Sequence, residues 1–451
     1  MMTYDAPNEQ EIRQLLKSAQ KPAAAAMKSH AYYRGKLATQ LKCPVRGMED
    51  FSIWYSPGVA APCKAIAESP EKVYELTNIG NTIAVISDGT RVLGLGDIGP
   101  QASLPVMEGK SLLFKYLGGV DAYPLVLNAT NPDDFVKTVL HLQPGFSGIN
   151  LEDIAQPKCF EILERLNEAA EIPIWHDDQQ GTATVTLAAL MNALKVVGKD
   201  KAEIRLAMIG AGAAGVAISR LLFAWGVNPA KTIVVDAGGT MGKHRDDLPA
   251  STPAWHLCQI TNPAGVRGGI SEAMTGADVV IAYSSPGPGV IQAEWIKAMA
   301  PDPIVFACAN PVPEIWPWEA KAAGAAVVAT GRSDFPNQVN NSLCFPAIFR
   351  GVLDVRARRI TDEMCFAAAG ALADWGQAKL DADHILPLMT EMAIYPLQAA
   401  AVGVQAQKQG VARVELSYDE LLDRAEMIIG AAQAATGVLM DAGCIPPFPE
   451  D

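Results

Sequence analysis

The chain has 451 residues, of which 49% are hydrophobic and 19% are charged, as in a folded globular protein with two or three domains. Its formal net charge of −13 disfavours non-specific binding to nucleic acids or anionic membranes, so we expect neither as a partner. The eight cysteines form no C-x-x-C pair, and no apolar run approaches the roughly 18 residues of a membrane span. We therefore expect reduced thiols and a cytoplasmic location.

Residues 1–162 are expected to form an α/β domain. The alanine-rich segment 9–40 shows no strand alternation and is interpreted as helix, which either packs against another subunit or lies on an ordinary surface. Apolar runs separated by turn residues then predict a strand Ile83–Ile86, a turn at Asp88-Gly89, a short strand Val92–Leu95, a helix Gly109–Leu117 and a strand Ala122–Leu127.

From residue 204 onward, strands and helices alternate at the spacing of a parallel sheet. The predicted elements are the strand Ile204–Ile209, the helix Ala213–Trp225, and the strands Thr232–Asp236, Ala277–Tyr283, Ile304–Ala309 and Ala326–Thr330. This order predicts a Rossmann-type, doubly wound parallel sheet. Residues 361–451 are again helical in character. We place the three domains at 1–162, 163–390 and 391–451, with the last packing back on the core.

A glycine pattern, G-A-G-A-A-G at 210–215, lies between the first strand and the first helix of the predicted sheet. This spacing lets the strand turn tightly into a helix, so that the backbone approaches a pyrophosphate at the positive end of the helix. Asp236 closes the next strand, 21 residues past Gly215, where a carboxylate can bind a ribose diol. The pattern predicts a dinucleotide site formed by Gly210, Gly212, Ala213, Ala214, Gly215 and Asp236.

The choice between NAD and NADP stays open at this point. Asp236 favours NAD, although it is alternatively a simple turn residue before Gly238-Gly239. Lys243, His244 and Arg245 follow closely and are able to hold the 2′-phosphate of NADP.

Two pairs of acids indicate a cation site. Glu152-Asp153 stands in INLEDI and Asp177-Asp178 in WHDDQQG. Converging carboxylates, with water and substrate oxygens, suit Mg²⁺ or Mn²⁺, which prefer hard oxygen ligands. Each pair also precedes a predicted helix, where acids serve as N-terminal caps, and capping is the simpler interpretation of either pair alone.

Several single residues carry weaker signals. Lys110 stands in a G-K-S sequence that resembles the end of a P-loop, but Leu104 occupies the position where that motif requires glycine, so the P-loop interpretation fails. A lone lysine is usually solvated, and an aromatic residue such as Tyr55 before a Pro-Gly turn usually packs. Arg91 is able to bind a carboxylate through two nitrogens, although a surface arginine is the default.

Amide side chains occur at the carboxyl edge of the predicted sheet, where ligands bind in such folds. They are supplied by ANP at 309–311 and PNQVNNS at 336–342.

Together these segments resemble the malic enzymes from about residue 30 to 360. The matching stretches occur in the order of that family: YSPGVAAPC, SDGTRVLGLGDIGPQASLPVMEGK, INLEDIAQPKCFEI, IPIWHDDQQGTA, IGAGAAG and FPNQVNNSLCFPAIFRG. Because the chain ends at residue 451, it resembles the compact bacterial form, which lacks the phosphotransacetylase-like domain of longer relatives. Trp175 and Gln180 depart from the commoner motif FHDDQHGT. This departure puts in doubt the packing or fine adjustment of the site, but not the activity.

The resemblance implies oxidative decarboxylation of malate to pyruvate and CO₂ with reduction of NAD or NADP, assisted by Mg²⁺ or Mn²⁺. It implies that Lys110 is the general base, that Asp177 assists it, and that Tyr55 protonates the enol. Such a lysine needs a lowered pKa. The metal ligands implied are Glu152, Asp153 and Asp178, and the substrate-binding residues are Arg91, Asn310 and Asn341, with Asn310 also beside the cofactor.

The resemblance also implies a homodimer or a larger homo-oligomer. Three rival interpretations stay open from the sequence. A malolactic enzyme has the same fold and site but retains NADH and releases lactate. A generic amino-acid dehydrogenase shares the Rossmann half but does not require the acid pairs, and a non-catalytic nucleotide sensor is disfavoured because Lys110, Tyr55 and the acids are all present.

Overall fold

Two parallel β-sheets, each covered by helices, form the body of the molecule. The computed structural model describes residues 8–129, 131–250, 252–375 and 379–448. The central strands of both sheets are buried on both faces, which explains why they are continuous apolar runs. The predicted α/β class, with a Rossmann-type doubly wound sheet and a helical C-terminal region, is confirmed.

In the described part of the chain, four α-helices precede the first strand: α1 (Glu9–Tyr33), α2 (Met48–Trp54), α3 (Ala60–Glu68) and α4 (Val73–Leu76). Helix α1 begins with a capping box at Asn8 and ends at Arg34, whose φ of 56° is left-handed. At the next residue, Gly35 (φ 108°), the chain turns away, and the Lys36 N–H donates to the Glu108 carboxylate over 3.0 Å. The helix predicted over 9–40 is therefore too long at its C-terminal end.

The first sheet has four parallel strands in the order β2-β1-β3-β4. Its elements in chain order are β1 (Thr82–Ser87), α5 (Pro100–Gly118), β2 (Asp121–Val126), α6 (Pro132–Leu142), β3 (Ile149–Leu151), α7 (Lys158–Ala169), β4 (Ile174–His176) and α8 (Thr182–Val197). Because β3 and β4 are parallel neighbours, the loops at their carboxyl ends emerge side by side.

The second sheet has six strands in the order β10-β9-β8-β5-β6-β7, all parallel except the short β7. Its elements in chain order are β5 (Leu206–Ile209), α9 (Ala213–Trp225), β6 (Thr232–Asp236), β7 (Gly239–Thr240), α10 (Pro253–Ile260), α11 (Ile270–Met274), β8 (Val279–Ala282), α12 (Ala293–Lys297), β9 (Ile304–Ala307), α13 (Pro317–Ala322) and β10 (Val327–Thr330). The chain runs from β5 to β6 on one side and then crosses to β8 on the other. This reversal opens the crevice in which such sheets bind dinucleotides.

Four helices complete the described chain: α14 (Phe345–Asp354), α15 (Asp362–Trp375), α16 (Ile394–Lys408) and α17 (Tyr418–Asp441). The rings of Phe345 and Phe349 pack on Phe114, so α14 joins the first sheet through α5. Of the predicted helical tail, residues 376–378 and 449–451 lie outside the described residues. The domain boundaries at 162 and 390 stay a prediction.

The predicted strand Val92–Leu95 is wrong. The segment makes a tight turn closed by a single bridge between Val92 and Gly96, and Leu93 has a left-handed φ of 48°. The segment therefore forms a loop at the carboxyl end of β1, on the same edge of the sheet as the acid pairs. Among the described residues, no helix combines the length and apolar character needed to cross a membrane.

Candidate active site

Three carboxylates meet at the carboxyl edge of the first sheet. Glu152 and Asp153 follow β3, Asp178 follows β4, and one oxygen of each lies within 4.8 Å of the others. The Asp153 N–H donates to Asp178 Oδ2 over 2.8 Å, and the left-handed backbone of Asp153 (φ 55°) turns the chain at this point. Capping alone does not explain this arrangement, because the two acid pairs face each other across neighbouring strands.

The carboxylates lie close together although two of them, Glu152 and Asp153, are buried; Asp178 is partly exposed. Burial, and then the charge of Asp178, raise the pKa of Asp153 to about 8, and burial also raises the pKa of Glu152 well above its usual value. One buried oxygen, Asp153 Oδ2, has no hydrogen-bond partner within the described chain. A hard divalent cation fits this set of oxygen donors and would offset their repulsion.

Lys110 contacts the same cluster from α5. Its buried ammonium pairs with Asp177 and lies 3.3 Å from Glu152 Oε1 and 4.5 Å from the centre of the Phe345 ring. Burial alone lowers the pKa of Lys110, but Asp177 and Glu152 together outweigh it and raise that pKa above its usual value. The expected lowering of this pKa is therefore not found, because the neighbours of Lys110 are acids and not a cation.

Asp177 is held from two sides. It begins a π-helical turn, Asp177–Gly181, of the kind often found at functional sites. Its Oδ2 accepts from Lys110, while its Oδ1 accepts from the Trp175 indole N–H over 3.0 Å. A Cβ at Gly181 would collide with the Asp177 carboxylate, so only glycine leaves room for it.

Trp175 is a residue that the sequence interpretation missed. Its departure from the commoner phenylalanine concerns more than packing, because its indole N–H donates directly to Asp177. The signal was available in the sequence, because residues i and i+2 around a strand point to the same face. The sequence interpretation also missed Asn150, which lies two residues before Glu152. Its side-chain amide donates to Glu152 Oε2 over 2.9 Å.

Two predicted substrate residues lie beside the cluster. The Arg91 N–H donates to the Asp153 carbonyl over 3.0 Å, and the exposed guanidinium is close enough for its charge to act on Asp178. The Cβ of Asn341 lies 3.3 Å from the position that a side chain at Gly181 would occupy. Both residues therefore border the lysine and the acids.

Asn310 lies where the two halves of the molecule approach each other. It follows β9 and is exposed, and its carbonyl lies 3.2 Å from the position that a Cβ at Gly94 would occupy. Gly94 belongs to the loop that starts near Arg91. The carboxyl edge of the dinucleotide sheet therefore contacts the loop beside the carboxylate cluster.

Tyr55 is not brought to the cluster. It follows α2 and is 74% exposed, in a segment that carries other exposed apolar side chains. Those neighbours are Met48, Phe51, Ile53, Trp54 and Val59. Within the described chain, the hydrogen bonds of Gly47–Val59 stay among residues 44–63, so this segment is tied mainly to itself.

The glycine loop has the close approaches that its spacing predicts. Gly210 has φ 105°, and a Cβ there would strike the Tyr283 carbonyl. A Cβ at Gly215 would strike the Gly210 carbonyl, while Gly212, Ala213 and Ala214 form the start of α9. The N-terminus of this helix opens at the sheet edge, where its positive end can meet a pyrophosphate.

A doubly wound dinucleotide sheet whose carboxyl edge contacts the loop beside a buried lysine and acid cluster is the arrangement of an NAD(P)-dependent oxidoreductase. The particular family follows from sequence. The chain matches the model of the malic enzyme N-terminal domain over residues 34–167 and that of the malic enzyme NAD binding domain over residues 179–409, and it belongs to the malic enzyme family.

Individual relatives agree with this assignment. The chain is 47% identical over 400 residues to the bifunctional malic/malolactic enzyme of Bacillus subtilis, covering 88% of this chain and 96% of that protein. It is 49% identical over 381 residues to the NAD-dependent malic enzyme of Geobacillus stearothermophilus, covering 84% and 78%. The solved malic enzyme of Entamoeba histolytica superposes with a TM-score of 0.94 at 46% identity, over 98% of this chain and 93% of that one.

Proposed function

We propose that this protein oxidises L-malate and decarboxylates it to pyruvate and CO₂, reducing NAD or NADP with the help of Mg²⁺ or Mn²⁺. The observation that carries the proposal is the buried contact of Lys110 with Asp177 and Glu152, next to three converging carboxylates and near the loop that the dinucleotide sheet contacts. Oxidation of a hydroxy acid requires a proton acceptor beside a hydride acceptor. In this proposal Lys110 accepts the proton and the bound dinucleotide accepts the hydride.

The chain supplies most of the groups that this reaction needs. Lys110 receives the proton of the C2 hydroxyl and passes it towards Asp177, while Arg91 and Asn341 hold the substrate carboxylates. A cation held by Glu152, Asp153 and Asp178 would supply the Lewis acidity that stabilises the enolate and a positive charge that lowers the pKa of Lys110. Tyr55 is the proposed donor of the proton that C3 receives.

A homodimer or larger assembly is part of the proposal. Tyr55 lies in a segment whose apolar side chains Met48, Phe51, Ile53 and Trp54 are also exposed, and monomers rarely leave so many large apolar side chains uncovered. A second copy covering it would bring Tyr55 into a closed, water-poor environment, in which a phenol can act as an acid.

A cytoplasmic location stays a prediction, to which the eight free cysteines add support.

The proposal is tested with purified protein, L-malate, Mn²⁺ and each dinucleotide, following reduction of the nicotinamide and identifying the product. Lys110→Ala is expected to lower malate oxidation about 10²–10⁴-fold, the usual contribution of a general base. Lys115→Ala, on the same helix but paired with Asp121 at the surface, is the matched control. Near-normal turnover by Lys110→Ala would remove this lysine from the mechanism.

A second candidate is a malolactic reaction, which ends in lactate with no free NADH. The similarity to a bifunctional malic/malolactic enzyme favours keeping it. Release of pyruvate together with free reduced cofactor supports the malic reaction, whereas lactate without net cofactor reduction supports the alternative.

A further inference from the structure

The carboxylate at the end of β6 already has a cationic partner. Asp236 Oδ1 accepts from Arg245 Nη1 over 2.7 Å and from the Gly238 N–H over 2.8 Å, and Oδ2 accepts from Arg245 Nη2 over 3.0 Å. The guanidinium therefore covers one edge of the carboxylate. Oδ2 keeps acceptor capacity for a ribose hydroxyl.

Arg245 is also held by a second carboxylate. Its Nε donates to Asp247 Oδ1 over 2.6 Å and its Nη2 to Asp247 Oδ2 over 2.7 Å. These contacts and those to Asp236 use four of the five N–H groups of the guanidinium. The Arg245 side chain is only 9% exposed, whereas that of Asp247 is 55% exposed.

The backbone is shaped to accept this arrangement. A Cβ at Gly238 would lie 2.7 Å from Arg245 Nη2, so the guanidinium packs over a residue without a side chain. The hydrogen bonds from Arg245 lower the pKa of Asp247 to about 2, so this carboxylate is ionised at neutral pH. Asp236, Arg245 and Asp247 together carry one net negative charge.

We propose that Asp247 is a cofactor-specificity residue, which holds Arg245 against Asp236 and so withholds that cation from a 2′-phosphate. The inference rests on the proposed use of a dinucleotide and refines it to a preference for NAD. A 2′-phosphate beside Asp236 would meet excess negative charge and a guanidinium with its donors occupied. A ribose diol needs only the open acceptor of Asp236.

The neighbouring cations do not replace Arg245. The His244 ring bonds the Thr240 carbonyl through Nε2 over 3.0 Å, which turns it towards the strand. Lys243 is exposed, and a flexible ammonium in water binds phosphate less well than a fixed guanidinium. If Asp247 were removed, Arg245 would gain two free donors within reach of the ribose.

The test measures NAD⁺ and NADP⁺ binding by calorimetry, without malate. Asp247→Ala is expected to tighten NADP⁺ binding about tenfold or more and to change NAD⁺ binding less than about threefold, because two charge-assisted donors become available. Asp246→Ala is the matched control: it removes the same charge one position away, and Asp246 has no hydrogen bond or ion pair among the described residues. Adding Arg245→Ala to Asp247→Ala should abolish the gain.

The outcomes separate the inference from the proposed function. An equal gain of NADP⁺ affinity in Asp246→Ala and Asp247→Ala would show a general charge effect and overturn the role of Asp247. An unchanged ratio of the two affinities in Asp247→Ala, with both dinucleotides still bound, would overturn it as well and leave the proposed function intact. Binding of neither dinucleotide by the wild-type protein would overturn both. Thermal unfolding confirms that each variant is folded.

Discussion

Trp175→Phe removes one hydrogen bond from a buried carboxylate while keeping an aromatic ring in place. Trp175 is fully buried, and its indole N–H donates to Asp177 Oδ1 over 3.0 Å. Asp177 is also fully buried and uses its other oxygen to hold Lys110. Loss of the indole therefore leaves an oxygen of a buried charge without its donor, and it frees the carboxylate to rotate.

The magnitude follows from these contacts. A hydrogen bond to a charged group contributes about 1.5–3 kcal/mol, and the smaller ring adds a void worth roughly 1 kcal/mol. We expect the free energy of unfolding to fall by about 2.5–4 kcal/mol. Because Asp177 positions Lys110, we also expect kcat to fall about tenfold, which corresponds to ~1.4 kcal/mol of transition-state stabilisation. The KM for the dinucleotide should not change.

Urea unfolding and steady-state malate oxidation measure the two effects. Trp225→Phe is the control, since Trp225 lies on the far end of α9 and contacts Lys201 instead of an acid. If Trp175→Phe unfolds within about 0.5 kcal/mol of the wild type and turns over within about twofold of it, the bond neither stabilises the site nor orients Asp177. That result would refute the reasoning.

Three further predictions concern the same site. Asp178→Asn should weaken Mn²⁺ binding in calorimetry and abolish most of the Mn²⁺-dependent rise in Tm, and unchanged affinity would remove Asp178 from the ligand set. Because Tyr55 lies on the surface that a second copy is proposed to cover, a refolded mixture of Tyr55→Phe and Lys110→Ala chains should regain about 25% of wild-type activity through hybrid dimers; no recovery would place Tyr55 and Lys110 of one chain in the same site. Gly181→Ala should destabilise the protein by about 2 kcal/mol or more through its collision with Asp177, whereas Gly109→Ala, with open space around it, should be neutral or slightly stabilising in thermal unfolding.

The second sheet was predictable because its signals are local. Short stretches of sequence determine its strand and helix lengths, the glycine spacing after β5 and the acid at the end of β6. Helix α9 and strand β6 have the predicted bounds. The end of α1 was less predictable. Ala38 and its neighbours favour a helix, but Gly35 stops it, because Glu108 from a distant part of the chain takes over the next N–H.

Contacts between distant loops account for what the sequence did not predict. The acid pairs could be found by residue type, but their meeting depends on β3 and β4 being neighbours, which only the topology decides. Asp247 lies in an irregular loop, where no periodicity relates it to Asp236. The raised pKa of Lys110 likewise depends on acids 42 and 67 positions away, so no local pattern indicates it.

The charges of the site explain why these residues depend on one another. If Glu152, Asp153, Asp177 and Asp178 were all ionised beside the Lys110 ammonium and the Arg91 guanidinium, the site would carry an excess of two negative charges. Burial and this repulsion together raise the pKa of Glu152 and of Asp153. At about 4 Å and an effective dielectric constant near 20, each unbalanced pair costs roughly 4 kcal/mol. A divalent cation would match this excess, and its charge would act on Lys110 in the direction opposite to the acids. Glu152 and Asp178 both raise the pKa of Lys110 and belong to the carboxylate cluster, so a cation held by that cluster would oppose their effect and lower the pKa of Lys110.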